Sequence, residues 1–295
     1  MMATVIELPL DTYKGPVSPD WCPGCGDFGV LRSVQEAAGR LGILPKDLMI
    51  VSGIGCSSNL PGFIHAYGVH SLHGRSIPVA TGAHLANTDM KVVVTGGDGD
   101  GYGIGVGHLV HAMRRNLDIT YVVMDNQIYG LTTGQASPTT RKGHVTKSTP
   151  PPVGNAETPL NPLALAITCG ATFVARGFSG EAKLLTDLIA QGIAHKGFSL
   201  IDVFSPCVTY NKINTYAFFK EKVYKVDEEG FDPSDFYASL KKSFEWDERI
   251  PLGVIYKTEQ STYEDSEAIF KKGALVKHPV EPDKKLFEQL VHHMM

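Results

Sequence analysis

Residues 91–126 read KVVVTGGDGDGYGIGVGHLVHAMRRNLDITYVVMDN, and the order of events along them decides the fold. Residues 91–97 form a Val-rich run without polar alternation, the pattern of a strand buried on both faces of a parallel sheet. A glycine cluster follows. Residues 103–116 then place apolar side chains on one side of a helix that carries Arg114 and Arg115 in its last turn. Residues 118–126 make a second buried strand. The same alternation continues outward from this unit. DLMIVSG (47–53) is a strand upstream. Downstream, NPLALAITCG (161–170) and GEAKLLTDLIAQGIAHKG (180–197) read as helices, with ATFVARG (171–177) and FSLIDVFSPC (198–207) as strands. Strands alternating with helices predict an α/β fold: a doubly wound, mostly parallel sheet with helices on both faces.

Two segments depart from this rhythm. Residues 133–162 are polar and Pro/Gly-rich, too long for an ordinary connection and of the kind that is either functional or disordered. Beyond about residue 210 the chain becomes more polar and irregular. The expected organisation is therefore an α/β domain over 1–209 and a C-terminal extension over 210–295 that packs on the core or on a partner subunit. With 295 residues and 43% hydrophobic composition, the chain can bury a full core. A net charge of −4 argues against a nucleic-acid surface. No basic leader precedes an apolar core at the N-terminus, and no apolar run approaches the roughly 18 residues of a membrane span. Five cysteines without a secretory signal favour ligation or free thiols over a disulfide scaffold and point to the cytoplasm.

The glycine cluster lies where backbone amides at a helix N-terminus approach a phosphate, yet Asp98 and Asp100 are embedded in it. Carboxylates beside a phosphate repel it unless a cation intervenes, so Mg²⁺ is the natural inference. A right-handed crossover brings the end of the next strand, with Asn126, alongside Asp98. The backbone carbonyl of Ile128 can supply a third ligand. Gly97-Asp98-Gly99 followed by Asn126 resembles the motif in which Asp and Asn hold Mg²⁺ on the diphosphate of thiamine diphosphate.

Cys22 and Cys25 form a C-x₂-C pair, which by itself fits a zinc knuckle, a redox dithiol or part of an iron–sulfur site equally well. Cys56 follows the strand at 47–53 and Cys207 follows the strand at 198–207, so both belong to the sheet edge that carries Asp98. Four converging thiolates suit either a tetrahedral zinc or a [4Fe–4S] cluster. A structural zinc gains nothing from lying against thiamine diphosphate, whereas a redox cluster there can accept its electrons. Cys169 reads as a buried core cysteine.

In that order WCPGCG, GIGCSSNLPG, LHGR, GGDGDGYGIG, MDNQIYGLTTGQASPTT and SPC resemble the β subunits of 2-oxoacid:ferredoxin oxidoreductases, over residues 21–207. The resemblance implies that Cys22, Cys25, Cys56 and Cys207 bind [4Fe–4S], and that Asp98, Asn126 and Ile128 bind Mg²⁺. It further implies that Ile54, Gly55, Cys56, Ser57, His73, Gly99, Asp100, Gly130 and Leu131 contact thiamine diphosphate, with Asn59, Leu131 and Thr133 bordering the substrate. The implied activity is reversible, CoA-dependent oxidative decarboxylation of a 2-oxoacid with electrons passing to ferredoxin. In reverse it fixes CO₂ onto an acyl-CoA, as in the reductive tricarboxylic acid cycle. The motif wording is nearest to the 2-oxoglutarate branch, with pyruvate as the alternative. The half of the thiamine site that grips the aminopyrimidine is missing, so an α subunit is expected to complete it in a dimer of αβ heterodimers. A zinc-stapled, non-catalytic binding subunit is the rival from another class.

Overall fold

The computed structural model describes residues 6–246, 248–279, 281 and 283–295. Eight strands form one sheet: β1 (Leu48–Ser52), β2 (Tyr67–His70), β3 (Lys91–Gly97), β4 (Thr120–Asp125), β5 (Phe173–Phe178), β6 (Ser199–Phe204), β7 (Val223–Lys225) and β8 (Ile250–Lys257). Their spatial order is β2-β1-β3-β4-β6-β5-β8-β7, and every neighbouring pair is parallel except β5 with β8. Helices α1 (Asp27–Arg40), α2 (Leu60–Phe63), α3 (Ser76–Ala86), α4 (Val106–Arg115), α5 (Pro162–Thr168) and α6 (Ala182–Ala194) accompany the parallel part. The doubly wound α/β reading therefore holds, and β3–α4–β4 is the unit read from residues 91–126.

The apolar runs stay apolar because each strand feeds two cores at once. On one face Ile50, Val93, Val122, Ile201 and Ala175 pack with Val30, Val34 and Ala37 of α1 and Leu185, Leu188 and Ile189 of α6. On the other, Val51, Val92, Val94, Tyr121, Leu200 and Val174 pack with Ile77 and Ala80 of α3, Leu109 and Met113 of α4, and Leu163 and Ile167 of α5. Successive side chains of a strand point to opposite faces, so burial on both requires a run without alternation. Cys169, expected to be buried core, is only half-buried and packs at the margin of the second cluster.

The region after residue 210 is more regular than its composition suggests. Helices α7 (Tyr216–Lys222) and α8 (Phe236–Ser243), the turn α9 (Tyr263–Ser266) and the terminal helix α10 (Lys284–Met294) alternate with β7 and β8. Strand β8 extends the core sheet by pairing antiparallel with β5, from Phe173 opposite Lys257 to Arg176 opposite Gly253. Asn116, at φ 51° after α4, ties this arm down. Its side-chain amide donates to the carbonyls of Gln260 and Ser261, and its oxygen accepts from Thr172 Oγ1 and the Phe198 N–H.

Glu264 makes the second tether: it bonds His84 Nε2 of α3 and accepts the Asp118 N–H at 3.3 Å, beside the Lys196–Asp265 pair. Burial alone would raise the Glu264 carboxyl, but the hydrogen bonds from His84, the backbone and Thr262, together with the His84 charge, outweigh it and hold the group below its ordinary 4.5. A depressed carboxyl contributes stability that is present above its unfolded pKa and lost as pH falls through the folded one. Amide exchange over residues 258–266, taken relative to the intrinsic rate at each pH, should therefore accelerate below about pH 4.5 in the wild type. In Glu264→Gln it should already be fast at pH 7. Identical pH profiles for the two proteins would remove this tether.

Candidate active site

A cleft of about 110 Å³ opens at the C-terminal ends of β1, β3 and β4. Ile54, Gly55, Cys56, Ser57, His73, Asp98, Gly99, Asp100, Asn126, Ile128, Gly130 and Leu131 line it together. Asn59 and Thr133 are not on its wall: Asn59 lines a neighbouring groove with Asp20 and His70. Thr133 sits at φ 78°, a left-handed backbone that a β-branched residue rarely adopts, with its N–H donated to Gly130 O at 3.1 Å.

The glycine cluster forms a π-type turn over Gly99–Ile104, entered from Asp98. Such turns recur at functional sites because they widen the backbone spiral around a ligand. Asp100 braces the cleft from within it. Its Oδ1 accepts the Ile54 N–H at 2.9 Å, the Gly74 N–H at 2.7 Å and His73 Nδ1 at 2.7 Å, so one carboxylate joins the loops after β1 and β2. Its Oδ2 is buried without a partner, as is Ser57 Oγ on the cleft wall. Tyr129 closes the far side, its hydroxyl donating to Gly99 O at 3.1 Å.

Asp98 is 1% exposed and burial pushes its carboxyl up to about 6. Hydrogen bonds from Ser137 and Thr139 oppose the rise, and the Asp202 charge adds to it. A buried carboxyl of this kind is a place for a cation, which would supply the charge that water no longer does. Asn126 Oδ1 accepts the Ile128 N–H at 3.0 Å and keeps a second lone pair for a ligand. Thr139 escaped the sequence reading. Its hydroxyl donates to Asp98 Oδ2 at 2.7 Å and lies 2.9 Å from Asp125 Oδ1, so the long 133–162 segment reaches back to hold the acid in place. That segment is folded on itself: Asn155 Nδ2 donates to Thr140 O, the Gly143 N–H donates to Asn155 O, and the Asn155 N–H donates to His144 O.

The cysteines meet at the side of the same cleft. A Cβ added to Gly130 would stand 3.6 Å from Cys207 Sγ, 3.8 Å from Cys56 Sγ and 3.8 Å from Asn126 Nδ2, so two thiols border the proposed Mg²⁺ residues directly. Gly55, at φ 123°, makes the turn that presents Cys56. The Gly26 amide donates to Pro206 O at 3.2 Å, which draws Cys25 towards Cys207. Trp21 Nε1 donates to Cys56 O at 2.8 Å, and its ring packs edge-on against Phe28 and Phe63, fixing the Cys22 loop on the Cys56 turn. Burial, followed by the charges of Asp27, Cys207 and Cys22, pushes the Cys56 thiol up to about 11. Burial first, then Asp27, also pushes Cys25 up, with Cys207 and Cys56 adding to the rise. The four sulfurs thus feel one another, and as thiolates they would need a cationic centre to discharge them. Among the described residues no three His, Cys, Asp or Glu side chains are grouped as a single metal ion requires. Asp27 is itself buried among them, accepting from Ser205 Oγ at 2.6 Å, with burial raising it to about 6.

A diphosphate-sized cleft at the C-terminal edge of a doubly wound sheet, with Asp and Asn on adjacent strand ends, is the binding half of a thiamine-diphosphate enzyme. Residues 53–203 match the family model for the C-terminal TPP-binding domain of thiamine pyrophosphate enzymes, and residues 207–272 match that for the C-terminal part of the pyruvate ferredoxin oxidoreductase beta subunit. The β subunit of the 2-oxoacid:ferredoxin oxidoreductase of Saccharolobus solfataricus is 50% identical over 258 residues, covering 83% of this chain and 84% of the relative. The 2-oxoglutarate oxidoreductase subunit KorB of Mycobacterium tuberculosis is 43% identical over 201 residues, 68% of this chain and 53% of the relative. A solved 2-oxoglutarate:ferredoxin oxidoreductase of Magnetococcus marinus, with 2-oxoglutarate, coenzyme A and succinyl-CoA bound, superposes with a TM-score of 0.90 at 41% identity, covering 97% of both chains. This chain belongs to the family of 2-oxoacid:ferredoxin oxidoreductase β subunits. Among the described residues no helix is long and apolar enough to cross a membrane.

Proposed function

We propose that the chain holds the diphosphate half of thiamine diphosphate together with Mg²⁺ and a [4Fe–4S] cluster, and that with an α subunit it converts 2-oxoglutarate, CoA and oxidised ferredoxin to succinyl-CoA, CO₂ and reduced ferredoxin. The observation that carries this reading is the meeting of Cys56, Cys207 and Asn126 at Gly130, which puts thiol ligands and cation ligands on one wall. Asp98, Asn126 and the Ile128 carbonyl would hold Mg²⁺; Ser57 and the amides of the π-type turn would take diphosphate oxygens. Cys22, Cys25, Cys56 and Cys207 would hold the cluster. When bound, the thiamine group supplies the electron sink for decarboxylation and the cluster a one-electron carrier. The cleft volume favours a partner: 110 Å³ is small beside the several hundred Å³ of a whole-ligand pocket, so the remainder of the cofactor is left to the α subunit. The choice of 2-oxoglutarate rests on the KorB relatives and the Magnetococcus neighbour, since the relatives above 45% identity carry only the broader 2-oxoacid name.

The test is anaerobic purification of the αβ complex and its visible spectrum before and after each substrate. A brown sample that bleaches with 2-oxoglutarate and CoA supports the reading. Bleaching with pyruvate alone overturns the substrate. A colourless protein with one zinc per chain overturns the redox function and favours the zinc-stapled rival.

A further inference from the structure

Behind the cofactor cleft, on the far side of Asp125, lies a separate cavity of about 320 Å³. Arg176 of β5, Arg141, Gln127 and Leu160 form its walls, and Phe244 and Trp246 of the C-terminal arm close over it. Arg176 is 2% exposed. Its Nε donates to Asp202 Oδ2 at 3.2 Å, but Asp202 is also engaged by the Tyr102 hydroxyl at 2.9 Å, and Arg176 Nη1 is buried with no partner. A guanidinium carries five N–H donors in a fixed fork and cannot shed its charge, so an unmet buried N–H is a standing demand for an acceptor.

The surroundings define what would meet that donor. The Arg176 guanidinium lies 5.1 Å from the Phe204 ring centroid and 5.5 Å from that of Trp246, and the Arg141 guanidinium 5.7 Å from Trp246 and 4.6 Å from Phe218. Two cations therefore flank one indole in a chamber whose surface is mostly apolar, walled by Pro159, Leu160, Pro162 and Phe244 together with Thr139, Thr158, Asn161 and Ser243. Asp125, which also reaches the cavity, is engaged by Thr139 and by the Gln127 N–H at 3.1 Å. An anion with an apolar body satisfies both halves, and a carboxylate matches the arginine fork.

We propose that this cavity binds a small organic monocarboxylate, with the carboxylate on Arg176 and the apolar body against Trp246, Phe244 and Leu160. The site is independent of the cofactor assignment, but it is not isolated from the cleft. Thr139 and Gln127 line the cavity while Thr139 bonds Asp98 and Gln127 adjoins Asn126, so an occupant would bear on the loop that holds both.

The αβ complex can be titrated with 4-fluorobenzoate while the ¹⁹F signal of the ligand is followed, with 4-fluorobenzamide as the neutral isostere. A charge-assisted hydrogen bond should make the carboxylate bind at least about tenfold more tightly than the amide. Thr158 is an exposed residue at the cavity wall, so Thr158→Trp should obstruct the entrance and abolish saturable binding while leaving thermal unfolding unchanged. Arg176→Met should remove the preference for the acid, but it strands Asp202, which is why the deciding variant is the surface one. Equal binding of acid and amide, no saturation by about 10 mM, or binding unaltered in Thr158→Trp would each overturn the site.

Discussion

Gly53→Ala is expected to empty the cofactor cleft although residue 53 touches no proposed ligand. A Cβ there would stand 1.8 Å from Asp100 Oδ2 and 2.5 Å from Oδ1. Asp100 cannot turn aside without releasing Ile54 N, Gly74 N and His73 Nδ1. The methyl group therefore breaks the brace that joins the loops after β1 and β2. Overpacking and the lost charge-assisted bonds together should destabilise the chain by about 2–4 kcal/mol. They should also weaken retention of thiamine diphosphate by the αβ complex at least about 100-fold. Gly107→Ala is the control: nothing lies within 4 Å of its added Cβ, and alanine favours a helix by about 1 kcal/mol. Equilibrium dialysis of the cofactor, with thermal unfolding alongside, decides the matter. Wild-type affinity in Gly53→Ala would show that the Asp100 brace does not shape the cleft.

Cys56→Ser and Cys207→Ser should each remove the visible absorbance of the complex, lower iron from about four per chain towards none, and reduce ferredoxin reduction to background. Cys56 is half-buried, and burial followed by the charges of Asp27, Cys207 and Cys22 keeps its thiol protonated until a cationic centre takes it. Serine cannot be ionised in that position at any working pH. Cys169→Ser is the internal comparison, since Cys169 packs beside the α5 core, far in role from the other four, and should change stability by no more than about 1–2 kcal/mol and leave the spectrum intact. Loss of colour in Cys169→Ser, or its retention in Cys207→Ser, would reassign the ligands.

What the sequence discloses of this molecule follows the physics of each element. Buried parallel strands announce themselves as apolar runs: β1, β3, β4 and β6 lie within the stretches read that way, and β5 runs one residue past its stretch, to Phe178. β2 gives no such signal because three of its four residues are exposed. Strand β8 is an apolar run, IPLGVIYK, yet Pro251 and Gly253 interrupt it and its partner β5 is more than seventy residues earlier, a pairing that no local pattern encodes. The position of Asp98 beside Asn126 was legible because a crossover has one hand. Thr139 was not, because the hydroxyl that braces Asp98 comes from a Pro/Gly-rich loop without periodicity. Asp100 shows the remaining limit: its place in the glycine cluster is visible, but its three bonds to Ile54, Gly74 and His73 exist only in three dimensions.

The small volume of the cleft also has a consequence at the level of mass action. If, as proposed, the chain embraces only the diphosphate end of the cofactor and a second chain the other end, the cofactor would contribute to holding the two together. Subunit association and cofactor binding would then be one linked equilibrium. Dilution of the complex should release thiamine diphosphate and excess thiamine diphosphate should oppose dilution, so that the apparent affinity for the cofactor is a function of protein concentration.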